Sequence, residues 1–364
     1  MQTTLERNTF HLETLEFELP PELEAFEPPE AKGLSRDAVR LLISRKRDDS
    51  LVHTHFYDLP DFLEAGDVLV INTSGTLPAA LPATREDGTI LELHLSTHLP
   101  ADLWIVELRT PATRATMPFR DARAGESLML PGGARVQILA PYLMDRTLSP
   151  TPASSRLWVS MLELPESLIP YLHCYGKPIR YGYVHHDWSL EHYQTVYATE
   201  AGSAEMPSAG RAFTPELLTR LIAKGVQIAP LILHTGVASL EEHEPPYEEF
   251  YRVPLETART VNQARTDGRR VIAVGTTVVR ALETVTDAHA VTHPGEGWTR
   301  LIVTPQRGIC AVNGILTGWH EPKATHLAML EAIASRHHLE ISYSAALEHG
   351  YLWHEFGDLH LILP

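Results

Sequence analysis

Residues 268–283 read GRRVIAVGTTVVRALE: an apolar run that suits a buried strand, then a glycine, two threonines and a helical pattern carrying Arg280. Gly275 permits a tight turn, Thr276 or Thr277 can cap a helix, and the free amides of a helix start attract anions. With Thr277 as the cap, Arg280 falls at the third helical position, where the helix dipole disfavours a cation by roughly 0.3 kcal/mol or more. An anion should then face it. Either Glu283, three residues on along the same face, supplies that charge, or a ligand carboxylate or phosphate does so with the threonine hydroxyls.

Other stretches carry proton-transfer or binding chemistry. LILHTGVASLEEHE ends an apolar run on His234, followed by Thr235 and Gly236. A histidine there can move protons near neutral pH, or can sit satisfied in the core. EMPSAGRAFTPELL sets Ser208 and Gly210 ahead of a helix start at Thr214, so the backbone can approach a ligand closely. TGWHEPKATHLAML places His320 and His326 around another helix start, and HEFGDLHLIL places Asp358 in a turn before an apolar strand. YVHHDWSLEHYQ gathers His185, His186, Asp187 and His192, all metal-ligating types, but in no spacing of a zinc site. With 20 histidines in the chain such clusters arise by chance, and no metal is expected. The run SRDAVRLLISRK, with Arg36, Arg40, Arg45 and Lys46, is the best candidate for meeting phosphates. P-loop, GxGxxG, zinc-finger and RNP signatures are absent, so ATP or NAD use has no support.

The elements that must position these residues alternate. DLPDFLEAGDVLVINTSG reads as a short helix, a Gly-Asp turn and a buried strand Val68–Asn72 with a polar loop at its end. TPELLTRLIAKG is a capped helix, VQIAPLILHTG a strand, PLETARTVNQARTDG a helix and RRVIAVGTT a strand. This order predicts an α/β main domain with a mostly parallel sheet, its ligands beyond the carboxyl ends of the strands. Residues 79–165 differ, with short strand-like runs divided by turn signals, and predict an inserted small antiparallel β-barrel-like domain. The α/β catalytic domain is then discontinuous, 1–78 and 166–364.

Composition narrows the class. The chain has 364 residues, 44% of them apolar, and 30 Lys+Arg against 46 Asp+Glu give a net charge of −16, which argues against non-specific adhesion to nucleic acid. Cys174 and Cys310 cannot build a disulfide framework, so a reducing compartment fits. No signal peptide and no apolar run of about eighteen residues is present. A cytoplasmic monomer, with no membrane contact, is expected.

The ordered set YQTVYA (193–198), PSAGRAFT (207–214), LHTG (233–236) and GRRVIAVGTTVVRALE, with FELP, HFYDLPDFLEAGDVLVIN, TGWHEP and FGD, resembles the S-adenosylmethionine:tRNA ribosyltransferase-isomerases of queuosine synthesis over nearly the whole chain. The resemblance implies transfer of the ribosyl part of S-adenosylmethionine onto 7-aminomethyl-7-deazaguanine in tRNA, giving epoxyqueuosine with release of adenine and methionine. S-adenosylmethionine is then a co-substrate, and no cofactor or metal enters. With this reading His234 or His320 is expected to act as base or acid, and Glu249 joins them in the catalytic set. Substrate binding falls to Tyr193, Gln194, Ser208, Gly210, Thr235, Gly236, Thr276, Thr277, Arg280 (for a carboxylate) and Asp358, with Arg36 and Arg40 reserved for RNA.

Several positions depart from that pattern. Gly75 and Ala80 stand where the family has arginines, Ala212 where it has histidine and Gly318 where it has asparagine; PYEE keeps Glu249 of a Met-His-x-Glu motif without its histidine. GKPIRYGYVHHDW stands where the family has a Pro-Pro-Tyr-Ile stretch. The changes gather in loops and point to a divergent branch. Its alternatives are an S-adenosylmethionine-dependent transferase or lyase with a small-molecule acceptor, or a non-catalytic S-adenosylmethionine-binding homologue.

Overall fold

The computed structural model describes residues 15–112, 116–142, 155–237 and 247–364. Its strands are β1 Arg40–Arg45, β2 Ser50–His55, β3 Val68–Asn72, β4 Ser74–Thr76, β5 Ala80–Thr84, β6 Ile90–Leu99, β7 Leu103–Thr110, β8 Met117–Pro118, β9 Ser127–Met129, β10 Arg135–Pro141, β11 Leu157–Glu163, β12 Glu200–Ser203, β13 Gln227–Leu233, β14 Glu249–Val253, β15 Val271–Val274, β16 Gly295–Thr299, β17 Gly314–Gly318 and β18 Leu359–Leu363. The α-helices are α1 Leu168–Tyr175, α2 Pro215–Lys224, α3 Leu255–Thr266, α4 Thr276–Thr284, α5 Thr325–Ala334 and α6 Arg336–Glu348.

One sheet runs β16-β14-β13-β3-β15-β17-β18-β1-β2. Its centre, β13-β3-β15-β17, is parallel, as the alternating pattern predicts. Its margins are not: β14 and β16 form an antiparallel edge, β18 runs against β17, and β2 returns antiparallel on β1. The sheet is therefore mixed rather than mostly parallel. Strands buried on both faces read as continuous apolar runs whichever way they point, so sequence alone leaves their direction open.

Alternation of side chains divides the core into two layers. Val68, Val70, Val271 and Ala273 face α3, α4, α5 and α6, whereas Leu69, Ile71, Ile272 and Val274 face α2 and the 3-10 turns around residues 56–62 and 208–210. Each fully buried aliphatic side chain is worth roughly 1.5–3 kcal/mol, enough to fix which face of each strand points where. α2 starts on Thr214, whose Oγ1 accepts the Leu217 N–H at 3.1 Å, and stops at Gly225 in the left-handed region.

Residues 80–163 form the second body. β11, β10, β9, β5, β6 and β7 pair antiparallel in sequence around a ring, and the β11–β7 pairing closes it into a six-stranded barrel with β8 appended to β7. Leu91, Leu93 and Leu95 of β6 join Val106, Leu108, Val136, Ile138 and Trp158 in a core separate from the main one. Closure leaves no edge between β7 and β11 to recruit another strand.

Candidate active site

Asn72 ends β3 and is fully enclosed, so each of its polar atoms needs a partner. Its Oδ1 accepts the N–H groups of Ser74 and Leu233, while its Nδ2 donates to the Leu233 carbonyl at 2.8 Å and to Thr277 Oγ1 at 3.4 Å. One side chain thereby ties together the carboxyl ends of β3 and β13 and the start of α4. Gly275, at φ 93°, makes the turn from β15 into α4, donating its N–H to Leu316 of β17. α4 begins at Thr276 with no side-chain cap, so its first-turn amides are left for a ligand or solvent.

His234 emerges beside this junction. Its ring stacks on Phe250 with centroids 5.6 Å apart, and it lies so close to Gly202 that a Cβ there would sit 2.5 Å from the imidazole. Nδ1 is 2.7 Å from Ser74 Oγ, which is 2.6 Å from Ser203 Oγ, which accepts the Thr235 N–H at 3.0 Å. The backbone amide can only donate. Ser203 Oγ accepts that bond and still has a second lone pair, so the serine pair serves either tautomer of His234; Nδ1 faces Ser74 and Nε2 lies 3.6 Å from Glu200. Burial lowers the His234 pKa, Glu200 opposes that shift, and Arg252, paired with Glu200 at 2.5 Å, reinforces it.

A second acid-base chain lies beside it. Glu249 Oε1 accepts the Gly236 N–H at 2.9 Å, and its Oε2 pairs with Arg280 Nη1. Arg280 also donates to the carbonyls of Leu301 and Thr299. Both expectations for Arg280 are therefore replaced. It lies fifth in α4, not third, because Gly275 takes the cap position, and its countercharge is Glu249, neither Glu283 nor a free ligand site. Glu283 accepts the N–H groups of Cys310 and Ala311 and pairs with Arg307.

His320 follows β17, its Nε2 2.9 Å from Thr317 Oγ1 and its ring stacked on His326 at 4.8 Å. Burial, then the neighbouring His326, His354 and His360, drives the His320 pKa well below the ordinary histidine value. His326 is exposed at the surface, yet the packing around its ring, then the Arg280 charge, bring it down to about 4, against a smaller opposing effect of Glu249. Both rings are neutral at physiological pH. The barrel completes the surround, with Ser96 of β6 accepting the Val237 N–H at 3.1 Å.

His234, Thr235, Gly236, Glu249, Thr276, Thr277, Arg280 and His320 thus form one neighbourhood. Ser208 and Gly210 lie in the turn packed on it, where Ala209 comes within 3.4 Å of the Cβ position of Gly275. Tyr193 and Gln194 act one step away: Thr76 Oγ1 donates to the Tyr193 carbonyl at 2.6 Å, and the Gln194 amide bonds both the N–H and the C=O of Thr76. They hold the loop carrying Ser74.

Asp358 and Arg40 belong elsewhere. Asp358 accepts from the Arg40 backbone at 2.7 Å, from its guanidinium at 2.8 Å and from Leu352 N–H, and Arg40 spends its other donors on the carbonyls of His349 and Gly350. This clamp between β1 and the C-terminal segment, buried at Asp358 and partly exposed at Arg40, matches the charge of each with the other. Arg36 is engaged with Glu30 and the Gln194 carbonyl, and Lys46 with the carbonyls of Asn313 and Ile333, so these two cations serve internal contacts. Among the described residues no group of three or more His, Cys, Asp or Glu could hold a metal ion. No helix there is long and apolar enough to cross a membrane.

Sequence reading missed Asn72, Ser74, Ser203 and Glu200. Only the polar loop after β3 signalled the first two; the others enter through β12, which pairs parallel with β4 and is too short for periodicity to register. Of the departures, Gly318 faces open space, Gly75 lies against Ala201 and Glu200, and Ala212 packs with Ala209 and Phe213 in the core.

Comparison with known proteins gives a consistent result. A family model described as "Queuosine biosynthesis protein" matches residues 12–362. A protein of Moorella thermoacetica named S-adenosylmethionine:tRNA ribosyltransferase-isomerase is 38% identical, covering 97% of this chain and 99% of its own. A Thermus thermophilus protein of the same name is 34% identical over 97% and 99%. The crystal structure of S-adenosylmethionine tRNA ribosyltransferase from Thermotoga maritima superposes with a TM-score of 0.51 at 28% identity, covering 96% of this chain and 99% of that one.

Proposed function

The chain belongs to the queuosine biosynthesis protein family, and from that membership we propose that it is an enzyme, an S-adenosylmethionine:tRNA ribosyltransferase-isomerase. It moves the ribosyl part of S-adenosylmethionine onto 7-aminomethyl-7-deazaguanine in tRNA, forms the epoxycyclopentanediol of epoxyqueuosine, and releases adenine and methionine. The observation that supports this most is that His234, the uncapped start of α4 and His320 follow the carboxyl ends of β13, β15 and β17 and so share one edge of the parallel sheet.

The sulfonium of the substrate acidifies the adjacent C5′ hydrogens, so a modest base suffices. His234, kept neutral by burial, has that capacity at neutral pH, and Glu200 beside Nε2 stabilises the imidazolium that results. Adenine leaves more readily with a proton, and methionine departs as a neutral thioether. The methionine carboxylate is assigned to the α4 amides rather than to Arg280, whose charge is already matched. Arg280 instead positions Glu249, which holds Gly236 and so the loop behind His234. His320 and His326, both neutral, offer hydrogen bonds to a polar heterocycle such as adenine.

The test is to incubate the protein with S-adenosylmethionine, with and without tRNA bearing the aminomethyl deazaguanine, and to measure adenine. Release that depends on the tRNA is expected. Release without RNA would transfer the reading to a small-molecule acceptor, which the loss of two arginines at Gly75 and Ala80 favours. Binding of S-adenosylmethionine with no release would leave a non-catalytic homologue.

A further inference from the structure

A cavity of about 400 Å³ opens on the far side of the loop that carries Ser74, bounded by Pro78, His173, Lys177, Arg180, Trp188 and Tyr193. Three observations give it a chemistry. Trp188 contributes an indole whose Nε1 is buried with no acceptor among the described residues, an expensive arrangement unless a ligand supplies one. Lys177 and Arg180 bring positive charge, offset in part by Asp187 at 2.9 and 3.3 Å. Those pairs are surface-exposed on the Lys177 and Asp187 side and hold little energy against a competing anion. Finally, Lys177 pairs with Ala80 through two backbone hydrogen bonds of 2.9 Å. Cross-strand partners carry Cβ atoms about 5 Å apart, so the charge absent at Ala80 reappears beside it, on the segment that departs from the family pattern.

Of the residues singled out as metal-ligating types in the histidine-rich stretch only Asp187 lines this cavity, and the histidines pack on aromatic rings. The His186 and His192 rings lie 6.2 and 5.4 Å from the Trp188 ring, His185 stacks on Phe26, and Asp187 faces the two cations. From Ser74, which touches His234, the chain reaches Pro78 in four residues, no more than about 14 Å. That is the length of about four stacked nucleotides.

We propose, building on the tRNA-acceptor reading above, that this cavity is a subsite for a nucleotide of the RNA near the reacting base: Trp188 lies against that nucleotide and donates its Nε1–H to it, and Lys177 and Arg180 hold its phosphate. A planar aromatic surface with adjacent cations is the arrangement that single-stranded nucleic acid requires.

Fluorescently labelled tRNA bearing the aminomethyl deazaguanine, titrated with the full-length protein, tests this. Lys177→Gln with Arg180→Gln should weaken binding about tenfold or more and flatten the slope of log affinity against log salt by between about 0.7 and 1.4, one to two phosphate contacts on a single strand. Trp188→Ala should weaken it about fivefold or more, and Trp188→Phe, which keeps a ring but lacks the Nε1–H, should recover only part of that loss. Affinity for S-adenosylmethionine by calorimetry and the melting temperature should hold in all of them. Variants that fold and bind tRNA as the wild type does would overturn the subsite while leaving the function intact. A wild type that releases adenine yet ignores tRNA would overturn both.

Discussion

His234 acquires its chemistry from its surroundings: burial favours its neutral form, a pair of serine hydroxyls holds its ring at Nδ1, and Glu200 awaits the charge it gains. The sign of its pH dependence follows. A base with a lowered pKa is active above that pKa, so adenine release in kcat/KM should hold from pH 8 down past the ordinary histidine value of about 6.5 and fall only below it. His234→Gln should cut kcat by about 10²–10⁴-fold and remove that limb, with calorimetry showing S-adenosylmethionine still bound; an unchanged limb would assign it to another group. Gly202→Ala tests the same ring without touching its protons. The added methyl would stand 2.5 Å from the imidazole, so kcat should drop at least about tenfold while the melting temperature moves little. Glu249 and Arg280 differ in kind, being a buried pair. Glu249→Ala strands the guanidinium and should cost about 3–5 kcal/mol in urea unfolding. Glu249→Gln, which still accepts the Gly236 N–H, should cost markedly less.

At the scale of elements, a chain of polar side chains joins β1, β18 and α6: Asp49 Oδ1 to His338 Nδ1 at 2.7 Å, His338 Nε2 to Ser44 Oγ at 2.8 Å, and Ser44 Oγ to His360 Nε2 at 2.8 Å. An Asp-His-Ser order invites a nucleophile reading, but Ser44 and His360 are completely enclosed and no substrate reaches them. The chain fastens two parallel strands to a helix. Ser44→Ala should cost about 1–3 kcal/mol of stability by leaving Nε2 of His338 and Nε2 of His360 without a partner, with adenine release per folded molecule unchanged. Elements of this sort were partly legible in the sequence. Val68–Asn72, the Thr214-capped helix and the turn at Gly275 follow from apolar runs bounded by turn and cap residues. What joins them does not, because Arg280 meets Glu249 across 31 positions and Arg40 meets Asp358 across 318, and no local pattern encodes a partner at that distance. A conspicuous arginine in a sequence marks the need for a countercharge without saying whether the protein itself provides one.

Across the whole molecule, the histidines couple folding to pH. Burial holds His360 down to about 3 and His354 to about 4, and keeps His320 well below its ordinary value. Unfolded, each returns to about 6.5 and takes up a proton that the folded state refuses. The unfolded chain therefore binds more protons through the window from about 6.5 down to 4. Stability is fully present above 6.5 and is lost as pH falls through it, at about 1.4 kcal/mol per pH unit for each proton. Asp287, lowered to about 2 chiefly by its hydrogen bond with His293, extends the loss to lower pH. Glu321 and Glu355 oppose it, since burial raises their pKa values and the folded state takes protons there more readily than the unfolded chain. Urea midpoints measured between pH 7.5 and 5 should fall steadily. His360→Asn should flatten that fall by close to one proton, even though it weakens the fold at pH 7.5 by breaking the bond to Ser44. A His360→Asn variant whose pH dependence matches the wild type would mean that this imidazole is charged inside the fold, and the case for a neutral His320 at the site would weaken with it.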